Sequence, residues 1–479
     1  MNRRNKIGLL LYLLNLLVAF SLSFIIIYYK LLPSRIRLIT IGALILIQVL
    51  FGYLTFKKMK SKWFRYITNA FIIIILLANA YTTYALKTGM DSLGKITEEP
   101  MKEEIAFSFV VLKDSEIKDL DAIAAAKVLK PTKQDQNNID AYLKQITELK
   151  NTSISTVDCN DYVEGANQII LDKSKVLLLN ETYRSLIDEQ VPGFSEKTRI
   201  VAPNKISIAT KPIVKDVKSM NPFVMYISGI DTYGSLSSVS RSDVNLLLTV
   251  NPNTKKILIV SVPRDSYVPI AGGGNNEKDK LTHAGIYGIS SSVQTLENLF
   301  DIDINYYTRI NFSSLVRIVD VLGGIHIHNN QAFTSSSGKY TFPLGTLHLN
   351  GEETLAFARE RYSFKDGDID RGRNHERILK AIIEKMLSPK ILLNYADVLQ
   401  VIMSSSETNI PKEKIIELVN SQLETSTSWK IDTTEVKGNS QSGLPSYAMP
   451  GWNLYMYVLE ESSIGNVSKL IKDISNNNN

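Results

Sequence analysis

The first ninety residues of this 479-residue chain contain no aspartate or glutamate, although they contain twelve lysines and arginines. The whole chain has 54 basic and 48 acidic residues, so subtracting those twelve leaves 42 basic against 48 acidic residues in 91–479. The basic excess is therefore confined to the amino-terminal part, and this distribution excludes a nucleic-acid-binding function for the rest of the chain.

Cysteine is also nearly absent, since the chain contains only Cys159. An exported domain without disulfides has no need to retain thiols, so the single cysteine is compatible with a location outside the cytoplasm. The sequence has neither a Walker phosphate-binding loop nor a GxSxG motif, and Cys159 lies outside the region that carries the charged motifs described below. No covalent nucleophile is evident.

What the amino-terminal part does contain is three long apolar runs, at about residues 7–29, 38–56 and 66–85. Each is near the ~20 residues that a membrane-spanning helix needs. Aromatic residues typical of membrane interfaces lie at their ends, namely Tyr28, Tyr29, Trp63 and Tyr66. Three long spans predict a retained membrane anchor rather than a cleaved signal peptide.

The basic residues flanking the runs predict the orientation of this anchor. The amino-terminus and the loop between the second and third runs share one side, which carries eight positive residues: Arg3, Arg4, Lys6, Lys57, Lys58, Lys60, Lys62 and Arg65. The other side carries Lys30, Arg35, Arg37 and Lys87. The positive-inside rule places the amino-terminus in the cytoplasm and everything after the third span outside the cell membrane.

The sequence divides into three predicted parts: a membrane anchor at 1–97, an accessory α/β domain at 98–215 and a catalytic domain at 216–479, whose motifs lie in 222–400. In the accessory domain, "IAFSFVVL" (105–112) and "KVLLLN" (175–180) predict strands and "NNIDAYLKQITEL" (137–149) predicts an amphipathic helix. No cluster of catalytic residue types is present there, so a spacer or recognition domain is the expected role.

The segment "SRSDVNLLLTVNPNTKKILIVSVPRDSY" predicts a β-hairpin. A turn between Asn253 and Thr254 places Leu248 opposite Ile259, and Asp243 across from Arg264. Asp231 ends the preceding strand, "FVMYISGID", and can reach the same end of the sheet. Two carboxylates with an arginine between them indicate a divalent metal, Mg²⁺ or Mn²⁺, beside phosphate; the alternative is an ordinary edge ion pair.

The stretch "RERYSFKDGDIDRGR" (359–373) contains five basic and four acidic residues. The preceding "GEETLAFARERY" (351–362) predicts a helix or a helix-to-strand junction, and on an extended segment Arg359 and Arg361 would project from one face. Asp368 precedes Arg371 and a predicted helix, which it is expected to cap. Convergence of Arg359, Arg361 and Arg371 with Arg264 predicts a clamp for a diphosphate; the alternative is an exposed charged loop.

Three other patterns have simpler interpretations. The "DID" at 301–303 is expected to begin a strand rather than to bind a metal, and "AGGGNNEKDK" (271–280) is expected to be a flexible loop. His326 and His328 have the i, i+2 spacing of one strand face, but no third metal ligand is near them in sequence, so exposed strand residues are expected.

Several motifs occur together and in one order: "SRSDVNLLLTVNP", "VPRDSY", "DKLTHAGIYG", "INYYTRINFSSLVRIVDVLGGI", "LNGEETLAFARERY" and "DGDIDRGR". Over about 230–380 the chain therefore resembles the LytR–CpsA–Psr family. The three spans and the additional domain before the motifs are similar to its capsule-locus members from streptococci.

This resemblance implies an α/β fold, with a mixed β-sheet core flanked by helices. It also implies an extracytoplasmic transferase that moves a capsular polysaccharide from a polyprenyl-pyrophosphate carrier onto peptidoglycan. The implied Mg²⁺ ligands are Asp231 and Asp243. The implied pyrophosphate ligands are Arg264, Arg359, Arg361 and Arg371, with Arg241 and Asp368 in the same site. Many members have glutamine where this chain has His375, which is a departure at a substrate-binding position.

The implied partners are the membrane, the lipid-linked polysaccharide, the peptidoglycan acceptor and capsule-assembly proteins. Metal and arginines stabilise a departing polyprenyl phosphate, and either Asp243 or Asp231 is a candidate to accept the proton of the acceptor hydroxyl. Two alternatives remain open from the residues: a non-catalytic regulator that binds the lipid pyrophosphate, and a pyrophosphatase that uses water as the acceptor.

Overall fold

A computed structural model describes residues 3–57, 62–98, 102–150, 153–209, 217, 220–230, 236–388, 391, 395–425 and 427–476. The chain forms three amino-terminal helices followed by two β-sheets with flanking helices. This is the predicted fold class.

The amino-terminal helices are α1 (Arg3–Tyr28), α2 (Ser34–Phe56) and α3 (Lys62–Glu98). Each contains a stretch that is long and apolar enough to cross a membrane, at 7–28, 34–56 and 63–88. Most of their large apolar side chains are exposed, which is typical of helices surrounded by lipid. The three predicted spans are confirmed, whereas their orientation stays a prediction.

Each span contributes one buried amide side chain to the middle of the helix bundle. Asn15 of α1 donates a hydrogen bond to Gln48 of α2 (3.3 Å) and accepts one from Asn79 of α3 (3.5 Å). Hydrogen bonds of this kind hold helices together in a bilayer, where apolar surfaces provide no hydrophobic drive for association.

The accessory unit is a five-stranded sheet with the strand order β3-β2-β4-β1-β5. Its elements are β1 (Lys102–Leu112), α4 (Leu120–Ala124), β2 (Lys127–Pro131), α5 (Gln136–Lys150), β3 (Thr156–Cys159), α6 (Tyr162–Leu171), β4 (Lys175–Asn180), α7 (Arg184–Gln190), α8 (Phe194–Lys197) and β5 (Thr198–Ala209). Five of the six residues in β4 are buried because the strand is central in this sheet and covered on both faces. The two predicted strands and the predicted helix form where expected.

A six-stranded mixed sheet forms the second unit, with the strand order β16-β11-β6-β7-β8-β17. Its strands are β6 (Phe223–Ile230), β7 (Ser242–Asn251), β8 (Lys256–Ser261), β11 (Tyr306–Ile310), β16 (Glu407–Thr408) and β17 (Lys430–Glu435). Strand β11 pairs with β6 in parallel and β17 with β8 in parallel, and the other pairs are antiparallel.

Helices cover both faces of this sheet because its strands alternate apolar side chains between the two sides. Leu247, Leu258 and Val260 pack against α10 (Ile289–Phe300) and α16 (Glu461–Ser475). The opposite face, with Leu246 and Ile259 among its residues, packs against α13 (Asp368–Met386) and α15 (Lys412–Thr425). The sheet is therefore the middle of three layers.

The remaining elements lie around these layers. They are β9 (Tyr267–Pro269), β10 (Lys278–Lys280), α9 (Leu281–Ala284), α11 (Phe312–Val321), β12 (Ile325–Asn329), β13 (Phe333–Thr334), β14 (Thr341–Phe342), β15 (Gly345–Leu349), α12 (Gly351–Arg359), α14 (Tyr395–Ser404), β18 (Gly438–Pro445) and β19 (Asn453–Leu459). Strands β12 and β15 form one small sheet, and β18 and β19 form a hairpin.

The predicted register of the β7–β8 hairpin is confirmed, since Leu248 is opposite Ile259. Two local predictions are wrong. Asp301 does not begin a strand: it ends α10 in the left-handed conformation (φ 51°), and β11 starts five residues later. Residues 271–280 are not merely a loop, because Lys278–Lys280 pair with β9 and Asp279 is buried, accepting hydrogen bonds from Ser446 and the backbone of Ala448.

The membrane helices touch the second unit directly at the loop between α1 and α2. Asn420 of α15 donates to the carbonyl of Lys30 (2.7 Å), and Glu424 accepts from Ser34 (2.9 Å). An apolar cluster of Ile25, Leu31, Met90, Met403 and Ile416 lies beside these bonds. The end of α15 is thereby held against the start of α2.

Candidate active site

Arg264 and Asp243 meet at the end of the β7–β8 hairpin. The backbone ladder ends at Leu246 and Ser261, but beyond it the Arg264 Nη1 lies 2.6 Å from Asp243 Oδ1. Thr282 donates to the same oxygen (3.1 Å). Burial alone would lower the pKa of Arg264, but Asp243 and its neighbouring carboxylates raise it above its usual value, so this guanidinium is always charged.

Asp368 is a carboxylate around which three arginines gather. Its Oδ2 lies 3.0 Å from Arg371 Nη2 and 4.0 Å from Arg264 Nε, and its Oδ1 lies 3.9 Å from Arg361 Nη1. Because Arg264 also pairs with Asp243 at 2.6 Å, the three guanidinium groups share two carboxylates, which still leaves a net positive cluster. The side chain of Arg361 is 44% exposed, so this cluster is open to solvent.

Helix α13 begins earlier than the sequence predicted, and this changes the role of Asp368. The residue before the helix is Gly367, with φ 51°, and its neighbour Asp368 is the first helical residue. No side chain caps the helix, so the expected cap by Asp368 is wrong. The six additional helical residues instead place Asp368 and Arg371 one turn apart on one helix face.

Arg359 and Arg361 lie where a helix ends, as one of the alternatives from the sequence had it, and not on one extended segment. Arg359 is the last residue of α12, which starts at a capping box formed by Asn350 and Glu353. The Arg359 guanidinium lies over the ring of Phe312, 4.4 Å from its centroid. Among the described residues, Arg359 forms no salt bridge with a carboxylate.

Of the predicted metal ligands, Asp231 lies outside the described residues. Within the described part of the chain, no group of three or more His, Cys, Asp or Glu side chains is placed to hold a metal ion. Asp243 uses one oxygen for Arg264 and Thr282, which leaves the second for another ligand. Magnesium commonly binds one or two carboxylates together with substrate phosphates, and Asp243 fits that pattern only with such additional oxygens.

Arg241 contacts a residue that sequence reasoning missed. Its Nη1 lies 2.9 Å from Oε1 of Glu189, which is on α7 of the accessory unit. The two residues are 52 positions apart and belong to different units of the chain, so no local pattern in the sequence points to the pair.

Asp265 and Lys280 form a second pair that was missed. Lys280 Nζ lies 2.8 Å from Asp265 Oδ1, and Arg264 Nε lies 4.0 Å from the same oxygen. Burial would raise the pKa of Asp265, but Lys280 and Arg264 hold it below its usual value. Lys280 is in the motif "DKLTHAGIYG" and Asp265 follows Arg264 in "VPRDSY". Their positions in these motifs were the signal from which the pair could have been predicted.

His375 lies one helical turn after Arg371, and its Nε2 is 2.9 Å from the carbonyl oxygen of Ala358. Burial and the nearby charge of Arg371 lower the pKa of His375 to about 3, so the ring is neutral. Because a carbonyl only accepts, Nε2 carries the proton and Nδ1 is left as an acceptor. A neutral ring in this state offers no second donor to a phosphate oxygen.

The remaining histidine pattern gives no metal site. His326 and His328 are exposed on β12, as expected, and the ring of His348 on β15 lies 4.8 Å from that of His326. His348 Nε2 is 3.2 Å from the carbonyl of Gly323.

Comparisons with known proteins match most of the second unit. The model of the LytR_cpsA_psr family matches residues 190–473. A model of a DNA polymerase processivity factor matches residues 59–179, a range that starts in the membrane helices and ends inside the accessory sheet, so it corresponds to no folded unit of this chain.

Three curated relatives illustrate the similarity, each named polyisoprenyl-teichoic acid–peptidoglycan teichoic acid transferase TagU. The protein from Enterococcus faecalis is 35% identical over 198 residues, 41% of this chain and 64% of its own length. That from Bacillus cereus is 33% identical, over 42% of this chain and 65% of its own length. That from Bacillus licheniformis is 29% identical, over 54% and 80%. The chain thus spans slightly less than two thirds of the first two relatives.

Among solved structures, that of B. subtilis TagV aligns with a TM-score of 0.47 and 28% identity, over 54% of this chain and 98% of that one. A structure described as TagT bound to LI-WTA aligns with a TM-score of 0.42 and 26% identity, over 53% and 91%.

Proposed function

Because the chain belongs to the LytR–CpsA–Psr family, we propose that it transfers a cell-wall glycopolymer from a polyprenyl-pyrophosphate carrier to peptidoglycan. The observation that carries this proposal is the group of three arginines, Arg264, Arg361 and Arg371, around the single carboxylate of Asp368. A diphosphate is negatively charged and is therefore attracted to these arginines. Its oxygens are spaced so that one guanidinium group can bind two of them.

The clamp supplies what a phosphoryl transfer needs. In the proposed step, a hydroxyl oxygen of peptidoglycan attacks the phosphorus that bears the glycan. The bond from this phosphorus to the bridging oxygen breaks, polyprenyl phosphate leaves with the electron pair, and the hydroxyl proton passes to a carboxylate. Arg264 and Arg371 stabilise the charge on the leaving phosphate, and Arg359 and Arg361 are the exposed cations that meet the incoming diphosphate.

Mg²⁺ is part of this proposal, with Asp243 and Asp231 as its protein ligands. Held by these residues, the ion would neutralise part of the charge of the diphosphate. Asp243 already neutralises the charge of Arg264. An anionic substrate can bind beside this carboxylate only if the cations of the site outnumber its carboxylates. The excess of arginines supports that condition.

The glycan that we propose is a capsular polysaccharide, because the three spans and the accessory unit are similar to the capsule-locus members of the family. The curated relatives are named for teichoic acid, which makes a teichoic-acid precursor the first alternative substrate. We further propose that the site faces the outside of the cell membrane and meets capsule-assembly proteins there, with the eight basic residues around α1 and the loop before α3 in the cytoplasm.

The test uses the full chain in detergent micelles with a polyprenyl-pyrophosphate oligosaccharide, Mg²⁺ and peptidoglycan fragments, followed by mass spectrometry. Capsular and teichoic-acid oligosaccharides are compared in parallel. Glycan attached to peptidoglycan is the expected product, and it should disappear in Asp243→Ala but not in the surface control Asp140→Ala. Free glycan phosphate released with or without peptidoglycan, and no glycan attached to peptidoglycan, would indicate a pyrophosphatase, and lipid binding with no product would indicate a regulator.

A further inference from the structure

The segment 236–243, which leads into β7 and carries Arg241 and Asp243, contacts the accessory unit near both of its ends. At its start, the backbone N–H of Glu104 in β1 donates to the carbonyl of Ser237 (2.9 Å), and Val239 N–H donates to the carbonyl of Glu104 (2.9 Å). Residues 236–239 therefore add one short parallel rung to the accessory sheet.

The side chain of Val239 continues this attachment. It is 6% exposed and belongs to the hydrophobic cluster of the accessory sheet, together with Phe107 and Phe109 of β1. The segment that holds two predicted site residues is thus packed into the core of the other unit. An accessory unit that is only a spacer would not contribute core contacts to the site.

Glu103, the second residue of β1, fixes the same segment through Arg309. Its Oε1 accepts from Arg309 Nη2 (2.7 Å) and from the backbone N–H of Ile289 at the start of α10 (2.7 Å). Arg309 in turn donates from Nη1 to the carbonyl of Leu236 (3.0 Å). Gly288 is required beside the carboxylate, because its φ is 95° and any side chain there would collide with Glu103.

Glu189 holds the other end of the segment through its contact with Arg241. The Arg241 side chain is 16% exposed, and Glu189 is 45% exposed. The contact uses one Nη1 of the Arg241 fork and leaves its remaining donors for another anion.

We propose that the accessory unit is part of the active site, with Glu103 and Glu189 as positioning residues for the segment 236–243. Glu189 orients the Arg241 guanidinium toward the pyrophosphate, and Glu103 sets the backbone from which Arg241 and Asp243 project. This proposal rests on the proposed function, because the anion that Arg241 binds is the pyrophosphate of the lipid carrier.

The test measures binding of geranylgeranyl pyrophosphate to the full chain in detergent micelles for wild type, Glu189→Ala and Glu189→Gln. Glu189→Ala should weaken binding about 5- to 10-fold because a hydrogen bond that orders Arg241 is lost. Glu189→Gln should bind like wild type, since the amide oxygen still accepts from Arg241. The exposed Glu148→Ala, in the same unit, is the control. If both Glu189 variants bound more tightly, the residue would act only by charge repulsion, and the positioning role would be contradicted.

A double-mutant cycle shows whether Glu189 acts through Arg241. In an Arg241→Ala background the further change Glu189→Ala should alter binding by less than about twofold, because the residue to be oriented is gone. An equal effect of Glu189→Ala in both backgrounds would contradict the proposal.

Hydrogen exchange tests the positioning role of Glu103 without any substrate. Peptides covering 236–243 should exchange faster in Glu103→Gln than in wild type, while peptides in β4 remain unchanged. Unchanged exchange at 236–243 in a folded Glu103→Gln variant would contradict the positioning role of Glu103. If wild type did not bind the pyrophosphate at all, the proposed function would fail, and the exchange result would still decide the positioning role.

Discussion

Two groups of arginines and carboxylates in this protein have opposite compositions. At Asp368, three arginines share two carboxylates, Asp368 and Asp243, and the side chains are partly exposed. At Arg309, one arginine lies between two carboxylates, Glu103 at 2.7 Å and Glu407 at 3.6 Å, and is only 3% exposed. The first group has more arginines than carboxylates and is accessible, so it is suited to bind an anion. The second is already compensated and closed to solvent, so it is suited to hold two units together.

The largest expected effect breaks the open group. Arg264 contacts both Asp243 and Asp368, so Arg264→Ala removes a phosphate ligand and leaves two carboxylates closer to the substrate charge. The rate of glycan transfer should fall about 10²- to 10³-fold, the usual loss when one stabilising donor is removed. The measurement is kcat/KM by mass spectrometry, with the accessory-unit variant Arg184→Ala as the control. A rate within about threefold of wild type would remove Arg264 from the clamp.

Breaking the closed group should instead cost stability. Arg309→Met leaves Glu103 and Glu407 buried without their cation, and about 3–5 kcal/mol of unfolding free energy should be lost. Denaturant unfolding followed by tryptophan fluorescence measures this loss. Burial raises the pKa of Glu407, so in the variant this group should take up a proton readily and the loss should shrink as pH falls.

A double variant sharpens this prediction. Arg309→Met with Glu103→Gln should be more stable than Arg309→Met alone, because one uncompensated charge has been removed. Equal stability of the two variants would show that Glu103 is not charged in the folded protein.

A third prediction concerns Glu376, a buried residue of α13 near Glu435. Burial, and then the charge of Glu435, raise the pKa of Glu376 from its ordinary 4.5 to about 8. Between these values the folded protein keeps a proton that the unfolded chain has released. Stability should therefore fall as pH rises from about 5 to 8, by up to about 1.4 kcal/mol per pH unit.

The variant Glu376→Gln tests this by removing the titrating group. Its unfolding free energy should lose that slope and exceed wild type most at pH 8. If wild type and Glu376→Gln gave parallel pH profiles between 5 and 8, Glu376 would not titrate as described.

The smallest effect is expected at His375. Glutamine can donate to the carbonyl of Ala358 as the neutral imidazole does, so His375→Gln should change transfer by less than about threefold. His375→Ala is the matched comparison, because it removes this donor. A large loss in His375→Gln, with wild-type stability, would indicate that the free Nδ1 takes part in the reaction.

Local patterns in the sequence predicted the three spans, the strands and the β7–β8 register, because each depends on residues that are close in the chain. The pairing of Asp243 with Arg264 follows from the same register. Arg361 and Arg371 meet at Asp368 as the charge pattern indicated, although α13 starts earlier than predicted. The cause is that Gly367 precedes the first turn of α13, and the charge spacing alone does not report that boundary.

What the sequence did not predict depends on distant residues. Glu189 contacts Arg241 from a helix of the accessory unit, and Val239 enters a core whose other residues lie mostly before it in the chain. Neither has a periodicity or motif of its own. The role of the accessory unit could therefore be inferred only once its packing against 236–243 was known.

The most direct test of the comparison is the affinity of the wild-type chain for geranylgeranyl pyrophosphate and for geranylgeranyl monophosphate, measured by calorimetry in the same micelles at two salt concentrations. An open cluster in which arginines outnumber carboxylates predicts that the pyrophosphate binds more than about tenfold more tightly and that salt weakens this preference. Equal affinity for the two lipids, unaffected by salt, would contradict the assignment of the Asp368 cluster as a pyrophosphate site.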